Sequence, residues 1–165
     1  MNLKTSLPVG LLALGVITLV ATLTFSASPL ASQNKLGQIF QPDNNEIVDL
    51  GKQIYADNCA SCHGVNLEGK TPNWRSLGPD GKLPAPPHDQ SGHTWHHTDE
   101  LLFNITKYGL KKAANLKNYK SEMPIYDGIL SDNEIIAVLS FIKSTWPEEI
   151  QEHHDQMNAA NASLK

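Results

Sequence analysis

The sequence predicts a small all-α domain of three main helices behind an apolar N-terminal segment. Three runs of apolar residues recur at spacings of three and four positions, and each follows a residue type that caps helices. The stretch 64–97 is rich in Gly, Pro, Asn and His and lacks the alternating pattern of a strand. A chain of 165 residues has room for one such domain and a short appendage.

Each predicted helix has a polar residue at its start and a helix-stopping residue near its end. The expected N-caps are Asp43 or Asn44 for the first helix, Thr98 for the second and Ser131 for the third. Ser131 also opens a capping box with Glu134, in which each side chain bonds the other residue's backbone N–H. Gly109 ends the second helix and Pro147 closes the third.

Residues 1–31 are predicted to be a targeting or anchoring element. After Lys4 no charged residue occurs until Lys35, and the stretch 9–27 is nearly all apolar or small. Its length favours a single transmembrane helix, while a cleaved signal peptide stays open as the alternative. Because Lys4 is expected to stay in the cytoplasm, both interpretations place the chain from Ser32 onward outside it. The expected location is the periplasmic side of a bacterial inner membrane, either anchored there or soluble in the periplasm after cleavage.

The rest of the chain divides by composition. Residues 32–42 are predicted to be a linker, 43–147 a folded domain and 148–165 a polar, solvated C-terminal tail. The net charge is -4 and the pI is about 5.9, without a long run of Lys and Arg. A nucleic-acid-binding protein is therefore not expected, because such proteins present a basic face.

The segment Cys59-Ala60-Ser61-Cys62-His63 carries the predicted chemistry. Two thiols three positions apart on a helical turn project to the same side, so both can add to the two vinyl groups of one haem. The imidazole of the next residue, His63, then approaches the iron. The pattern predicts one covalently attached haem c.

Other sites can also contain a Cys-x-x-Cys pair. A thioredoxin-like redox motif expects a preceding strand in a βαβ setting, and a zinc site needs more thiols or a second paired cluster. A structural disulfide would close only a small loop and would constrain the unfolded chain little. These remain alternatives to haem attachment.

Met123 is the expected sixth ligand of the iron. A thioether favours the ferrous state and raises the reduction potential, which suits an electron carrier. Pro124 restricts Met123 to an extended backbone that is suited to crossing a haem face, whereas Met157 lies in the polar tail. The alternative role for Met123 is core filling.

From about Asp43 to Pro147 the chain resembles the monohaem cytochrome c family, whose iron is ligated by His and Met. Three motifs occur in the same order as in that family: Gly51 to Tyr55 ahead of Asn58 to Gly64, then Met123-Pro124, then Leu130 to Ile135 opening the last helix. The resemblance implies a small all-α fold of three main helices around one haem.

The resemblance also implies specific contacts. The first and last helices are expected to cross near Gly51, with Tyr55 packed against Trp146 or Phe141. Cys59 and Cys62 would attach the haem, and His63 and Met123 would bind the iron from opposite sides. A proline carbonyl is expected at the other ring nitrogen of His63, and Pro72 is the candidate.

The segment 84–97 departs from a minimal member of the family, because it is longer and richer in histidine. Four imidazoles could bind copper or another nitrogen-preferring metal there: His88, His93, His96 and His97. They could instead lie along the haem edge, where Trp74, Arg75 and Trp95 would hydrogen-bond the propionates. An ordinary surface loop packed on the haem periphery is the third interpretation.

These features predict an electron carrier rather than an enzyme. With both axial positions filled, no coordination site is left for a substrate, and the sequence has no Gly-rich phosphate loop or nucleophile-elbow motif. The expected partners are redox proteins, namely a respiratory complex, an oxidase or a periplasmic oxidoreductase. A haem protein with a copper-handling role and a haem-based sensor or peroxidase-like enzyme are the alternative functions.

Five lysines and no acidic residue lie between Glu100 and Glu122, just before Met123. They are Lys107, Lys111, Lys112, Lys117 and Lys120. Such a basic rim would steer an acidic partner toward the haem edge, and an ordinary solvated lysine face is the alternative.

Overall fold

The computed structural model of the protein describes Met1, residues 37–117 and residues 119–165. Within these ranges the chain forms six α-helices: α1 (Asn45–Asn58), α2 (Ala60–His63), α3 (Asp99–Tyr108), α4 (Leu110–Ala113), α5 (Asp132–Ser144) and α6 (Glu148–Ala162). A 3-10 turn, Thr94–His96, precedes α3, and no strand occurs in the described ranges beyond one isolated bridge pair. The predicted all-α class is confirmed.

The predicted N-terminal element lies outside the described residues, apart from Met1. Among the helices that are described, none combines the length and the apolar character needed to cross a membrane.

The three predicted helix starts are confirmed. The side chain of Asn44 accepts hydrogen bonds from two backbone N–H groups of α1, and that of Thr98 accepts one from α3. Ser131 and Glu134 form both hydrogen bonds of a capping box at the start of α5. Gly109 ends α3 with a φ of 82°, in the region that favours glycine.

Helices α1 and α5 cross at very close range at Gly51. A Cβ atom at this position would lie 2.0 Å from the carbonyl oxygen of Ala137, so only glycine fits without separating the helices. Near the crossing, the rings of Tyr55 and Phe141 pack with centroids 5.5 Å apart. Trp146 has another role, because its Nε1–H donates to the carbonyl of His88 at 2.8 Å. The expected aromatic pair is therefore Tyr55 with Phe141.

The expectation of a solvated tail at 148–165 is wrong. Helix α6 occupies most of this segment, and His154 and Asn158 on it are buried. Lys143 of α5 is also buried, and its Nζ lies 2.5 Å from Asp155 of α6. Each of these buried polar side chains has a polar partner on another element, which offsets the cost of removing it from water.

A buried network around Asp99 joins three distant segments. One carboxylate oxygen of Asp99 accepts the backbone N–H groups of Ile39 at 2.7 Å and Phe40 at 2.9 Å. The other oxygen accepts the side-chain amide of Asn158 at 2.8 Å, and the Asn158 carbonyl oxygen accepts the Asp99 N–H at 2.8 Å. Since Phe40 is a core residue, the packed domain begins before Asp43 and takes in the end of the predicted linker.

We expect the free energy of unfolding to fall as the pH drops below 6.5. Burial lowers the pKa of His154 below its usual value of 6.5, and its Nε2–H donates to the carbonyl of His97 at 2.8 Å. The unfolded chain therefore binds a proton that the folded chain excludes. The contribution of neutral His154 to the free energy of unfolding is complete above pH 6.5. It is lost as the pH falls toward the lower pKa that His154 has in the folded chain.

Denaturant titrations between pH 8 and pH 5 measure this dependence. His154→Gln, which keeps an N–H donor, should reduce the slope, whereas His153→Gln on the exposed face of the same helix should not. An unreduced slope in His154→Gln would contradict the assignment.

Candidate functional site

The two cysteines lie where α1 passes into α2. Cys59 is half-buried, Cys62 is exposed, and no disulfide joins them. Burial, and secondly the neighbouring Cys62, raise the pKa of the Cys59 thiol to about 11. Because no disulfide joins them, both sulfurs are free to form bonds to an external group. The raised pKa means that Cys59 is a protonated thiol at neutral pH.

His63, at the end of α2, is buried and has one ring nitrogen engaged. Its Nδ1 lies 2.8 Å from the carbonyl oxygen of Pro86. Because a carbonyl only accepts, Nδ1 carries the proton and Nε2 keeps a free lone pair. Burial lowers the ring's pKa, with the Pro86 carbonyl acting in the opposite direction. A neutral imidazole with a free Nε2 is the form that binds a metal.

The expected proline carbonyl is present, but it belongs to Pro86 and not to Pro72. The chain leaves the motif after Gly64, makes a loop, and returns beside its own start. The N–H of His88 donates to the carbonyl of Leu67 at 2.7 Å, and this bond fixes the returning segment next to His63. Pro72 lies within the loop, where residues 72 and 73 are exposed.

The backbone of the returning segment 86–88 packs directly against two glycines. A Cβ atom on Gly69 would lie 2.6 Å from the Pro87 nitrogen, and one on Gly92 would lie 2.0 Å from the Pro87 carbonyl oxygen. Both contacts are with backbone atoms, which cannot move away as a side chain can. The carbonyl that orients His63 is thus part of a closely packed backbone.

Two tyrosines fasten the chain on either side of the motif. The hydroxyl of Tyr55 donates to the carbonyl of Gly64 at 2.8 Å, and that of Tyr126 donates to the carbonyl of Asn58 at 2.7 Å. Burial raises the pKa of Tyr126 to about 12, so this donor stays protonated at neutral pH. The role of Tyr126 was missed from the sequence, because nothing near residue 126 indicates a contact with residue 58.

Met123 is half-buried and packs against the hydrophobic core. Its backbone N–H donates to the Ser121 hydroxyl at 3.1 Å, which shapes the turn before Pro124. Its role as an iron ligand stays a prediction.

Each histidine of segment 84–97 packs against another aromatic or imidazole ring. His88 stacks on His63, His93 on Trp74 and His96 on Trp95, with ring centroids 4.0, 4.8 and 3.7 Å apart, and His97 meets the edge of His93 at 5.2 Å. In the described part of the chain, no three His, Cys, Asp or Glu side chains are grouped to hold a metal ion. The structure gives no support to a second metal at this segment.

His93 of this segment packs against a tryptophan from the preceding loop, and that tryptophan also contacts a guanidinium. The guanidinium of Arg75 lies 4.0 Å over the ring of Trp74, which stacks on His93. Nδ1 of His93 is buried without a hydrogen-bond partner among the described residues. Arg75 and His93 thus both pack against Trp74, and a guanidinium is the side chain that best recognises a carboxylate such as a haem propionate. With the two thiols and the free Nε2 of His63, the described residues therefore fit a covalently attached haem.

Comparisons with known proteins agree with this chemistry. Residues 48–146, more than half of the chain, match the Cytochrome c family. The chain is 32% identical over 102 residues to a nitrite reductase of Stutzerimonas stutzeri, which is 59% of this chain and 16% of that protein. It is 26% identical over 96 residues to the Cbb3-type cytochrome c oxidase subunit FixP of Bradyrhizobium diazoefficiens, 57% of this chain and 29% of the subunit.

A shorter match has higher identity. The FixP subunit of Sinorhizobium medicae is 54% identical over 28 residues, 17% of this chain and 10% of that protein. The chain thus spans less than a third of the length of these relatives. No solved structure gives a significant match.

Proposed function

Because this chain belongs to the cytochrome c family and is a haem electron-transfer protein, we propose that it carries single electrons between redox proteins at the periplasmic face of a bacterial membrane. The observation that carries the proposal is His63, a buried neutral imidazole with a free Nε2 beside two free thiols. In this proposal the protein catalyses no reaction of its own.

The family implies one covalently bound c-type haem, which supplies a one-electron couple when bound. We assign its two thioether bonds to Cys59 and Cys62 and its proximal iron ligand to His63. The Nδ1–H bond to Pro86 keeps the His63 lone pair on Nε2 and raises its basicity. Met123 is the proposed opposite ligand. With His63 and Met123 both bound to it, the iron would have no open position for a substrate.

The partners are proposed from the relatives. A nitrite reductase and an oxidase subunit each contain a segment similar to this chain, so a terminal reductase or oxidase is the proposed electron acceptor. The apolar segment 9–27 would retain the protein at the membrane.

Periplasmic expression with haem-maturation machinery, followed by intact-mass and absorption measurements, tests the haem assignment. The expected result is one covalent haem, lost in the double variant Cys59→Ser/Cys62→Ser. A wild-type mass without haem would refute the proposed function. The intact mass also locates the N-terminus. A mass that corresponds to a chain beginning at Met1 supports the anchor, and one that corresponds to a chain beginning near Ser32 supports a cleaved signal.

Met123→Ala should change the ligand field of the iron and lower the reduction potential, because a thioether stabilises the ferrous state. Absorption spectroscopy and redox titration measure both effects. Met157→Ala on α6 is the control and should leave both unchanged. If Met123→Ala had the spectrum and potential of the wild type, Met123 would not be the ligand, and a sensor or peroxidase-like function would gain support.

The docking surface is proposed to be the basic rim before Met123. Lys107 pairs with Asp132 at 2.5 Å, whereas Lys111 and Lys120 are exposed. Reversing the charge of Lys111 and Lys120 to Glu should slow electron transfer to an acidic partner at low ionic strength and flatten its salt dependence. The matched control reverses the exposed Lys52 and Lys70, which lie outside the rim. A salt slope that stays the same in the Lys111/Lys120 variant would contradict the proposal.

A further inference from the structure

The ring of His88 lies flat against the ring of His63. Their centroids are 4.0 Å apart and their planes differ by 19°. The hydrogen bond from Nδ1 to Pro86 limits rotation of the His63 ring about its Cβ–Cγ bond, but Nδ1 lies so close to that axis that small tilts keep the hydrogen bond. A second flat ring against its face restricts that rotation. Two contacts therefore define the plane of the His63 imidazole.

His88 is itself held in place on several sides. Its Nδ1 lies 2.8 Å from the hydroxyl oxygen of Thr94, a buried residue. Its backbone N–H donates to the carbonyl of Leu67 at 2.7 Å, and its own carbonyl accepts from Nε1–H of Trp146, two residues after α5, at 2.8 Å. The preceding residue, Pro87, is confined by two glycines. The position of the His88 ring is thus fixed by its surroundings.

We propose that His88 is a positioning residue, which fixes the rotation of the His63 ring and hence the orientation of the axial imidazole plane over the haem iron. This inference rests on the proposed function, because it requires His63 to be an iron ligand. An aliphatic side chain of similar size could fill the space, but it would not impose a plane on its neighbour.

The orientation of an axial imidazole determines which iron d orbitals it overlaps. Together with the opposite ligand, it therefore contributes to the magnetic anisotropy of ferric iron and to the spread of the NMR shifts of the haem methyl groups. These two observables report on the ring plane itself. Loss of stability or of haem content alone would not produce the same signature.

The test compares His88→Leu and His88→Phe in the haem-loaded full chain, with EPR g-values and haem-methyl NMR shifts as readouts. His88→Leu should shift the g-values and change the methyl pattern, whereas His88→Phe, which keeps a flat ring, should stay close to the wild type. Wild-type spectra for His88→Leu would overturn the proposal. Equal changes in both variants would also overturn it, because planarity would then not matter.

Thr94→Val provides a second test that does not alter the stacked ring. Removing the hydroxyl that orients His88 should shift the g-values in the same direction as His88→Leu, by a smaller amount. Thr106→Val, which removes a buried hydroxyl from α3, is the control and should have wild-type spectra. If His88→Leu does not fold, wild-type spectra for Thr94→Val overturn the proposal.

The two proposals fail in distinguishable ways. A purified wild-type chain without haem refutes the proposed function. A haem-loaded chain with His/Met ligation whose spectra do not respond to the His88 and Thr94 variants refutes only the positioning role.

Discussion

Gly51→Ala should destabilise the protein by about 3 kcal/mol. The added Cβ would lie 2.0 Å from the carbonyl oxygen and 2.5 Å from the carbonyl carbon of Ala137. Both are backbone atoms in the middle of α5, so no side-chain rotation can relieve the overlap. The two helices would have to move apart, and the core side chains between them, including Ile54 and Val138, would lose contacts.

Chemical denaturation of samples with equal haem content measures the change in unfolding free energy. Gln53→Ala is the control, because Gln53 is exposed on the same helix, and it should change stability by no more than about 0.5 kcal/mol. If Gly51→Ala behaved like Gln53→Ala, the close crossing of α1 and α5 would be refuted.

Asp99→Asn should have an effect of similar size, about 3 kcal/mol. The Asp99 carboxylate is fully buried and accepts three hydrogen bonds, from Ile39, Phe40 and Asn158. The asparagine amide has the same shape but only one acceptor oxygen, so its NH2 group replaces the other oxygen and faces N–H donors that the carboxylate accepted. At least one buried N–H group then loses its partner, and α6 and residues 39–40 are less firmly attached.

Glu100→Gln is a closely matched control for Asp99→Asn. It makes the same charge change one residue later in the first turn of α3, but at an exposed side chain that pairs with Lys165. It should cost well under 1 kcal/mol. Faster amide hydrogen exchange at Ile39 and Phe40 should accompany Asp99→Asn alone. Equal stability of the two variants would contradict the buried network.

The features that the sequence predicted correctly are mostly local. A helix cap acts within three residues, so Asn44, Thr98 and Ser131 could each be recognised from their immediate neighbours. The Cys59 to His63 motif is equally local, because its chemistry depends on spacing along one helical turn. The glycine at the helix crossing came from the family resemblance.

Features that depend on the path of a long loop were not predictable. The segment between Gly64 and His97 contains several prolines, and only its folded course determines that the carbonyl of Pro86 reaches His63. Tyr126 and Asn58 likewise meet across 68 positions of sequence. Spacing along the chain carries no information about such contacts.

Helix α6 was misjudged for a different reason. Its sequence is polar on most faces, which is typical of a solvated segment. It packs through His154 and Asn158, whose partners lie 57 and 59 positions away. Burial of polar groups becomes favourable only when those partners are in place, so polarity alone predicts the wrong environment.

The crossing at Gly51 also determines when the protein can fold. Its two helices are separated by roughly 85 residues, and closing a loop of that length costs about 4 kcal/mol of chain entropy. Because Ala137 lies far downstream of Gly51, a chain emerging from synthesis cannot form this contact until α5 has been made. Until then the Cys59–Cys62 pair lies on a helix without its main partner. The cysteines are therefore open to a modifying enzyme throughout that interval.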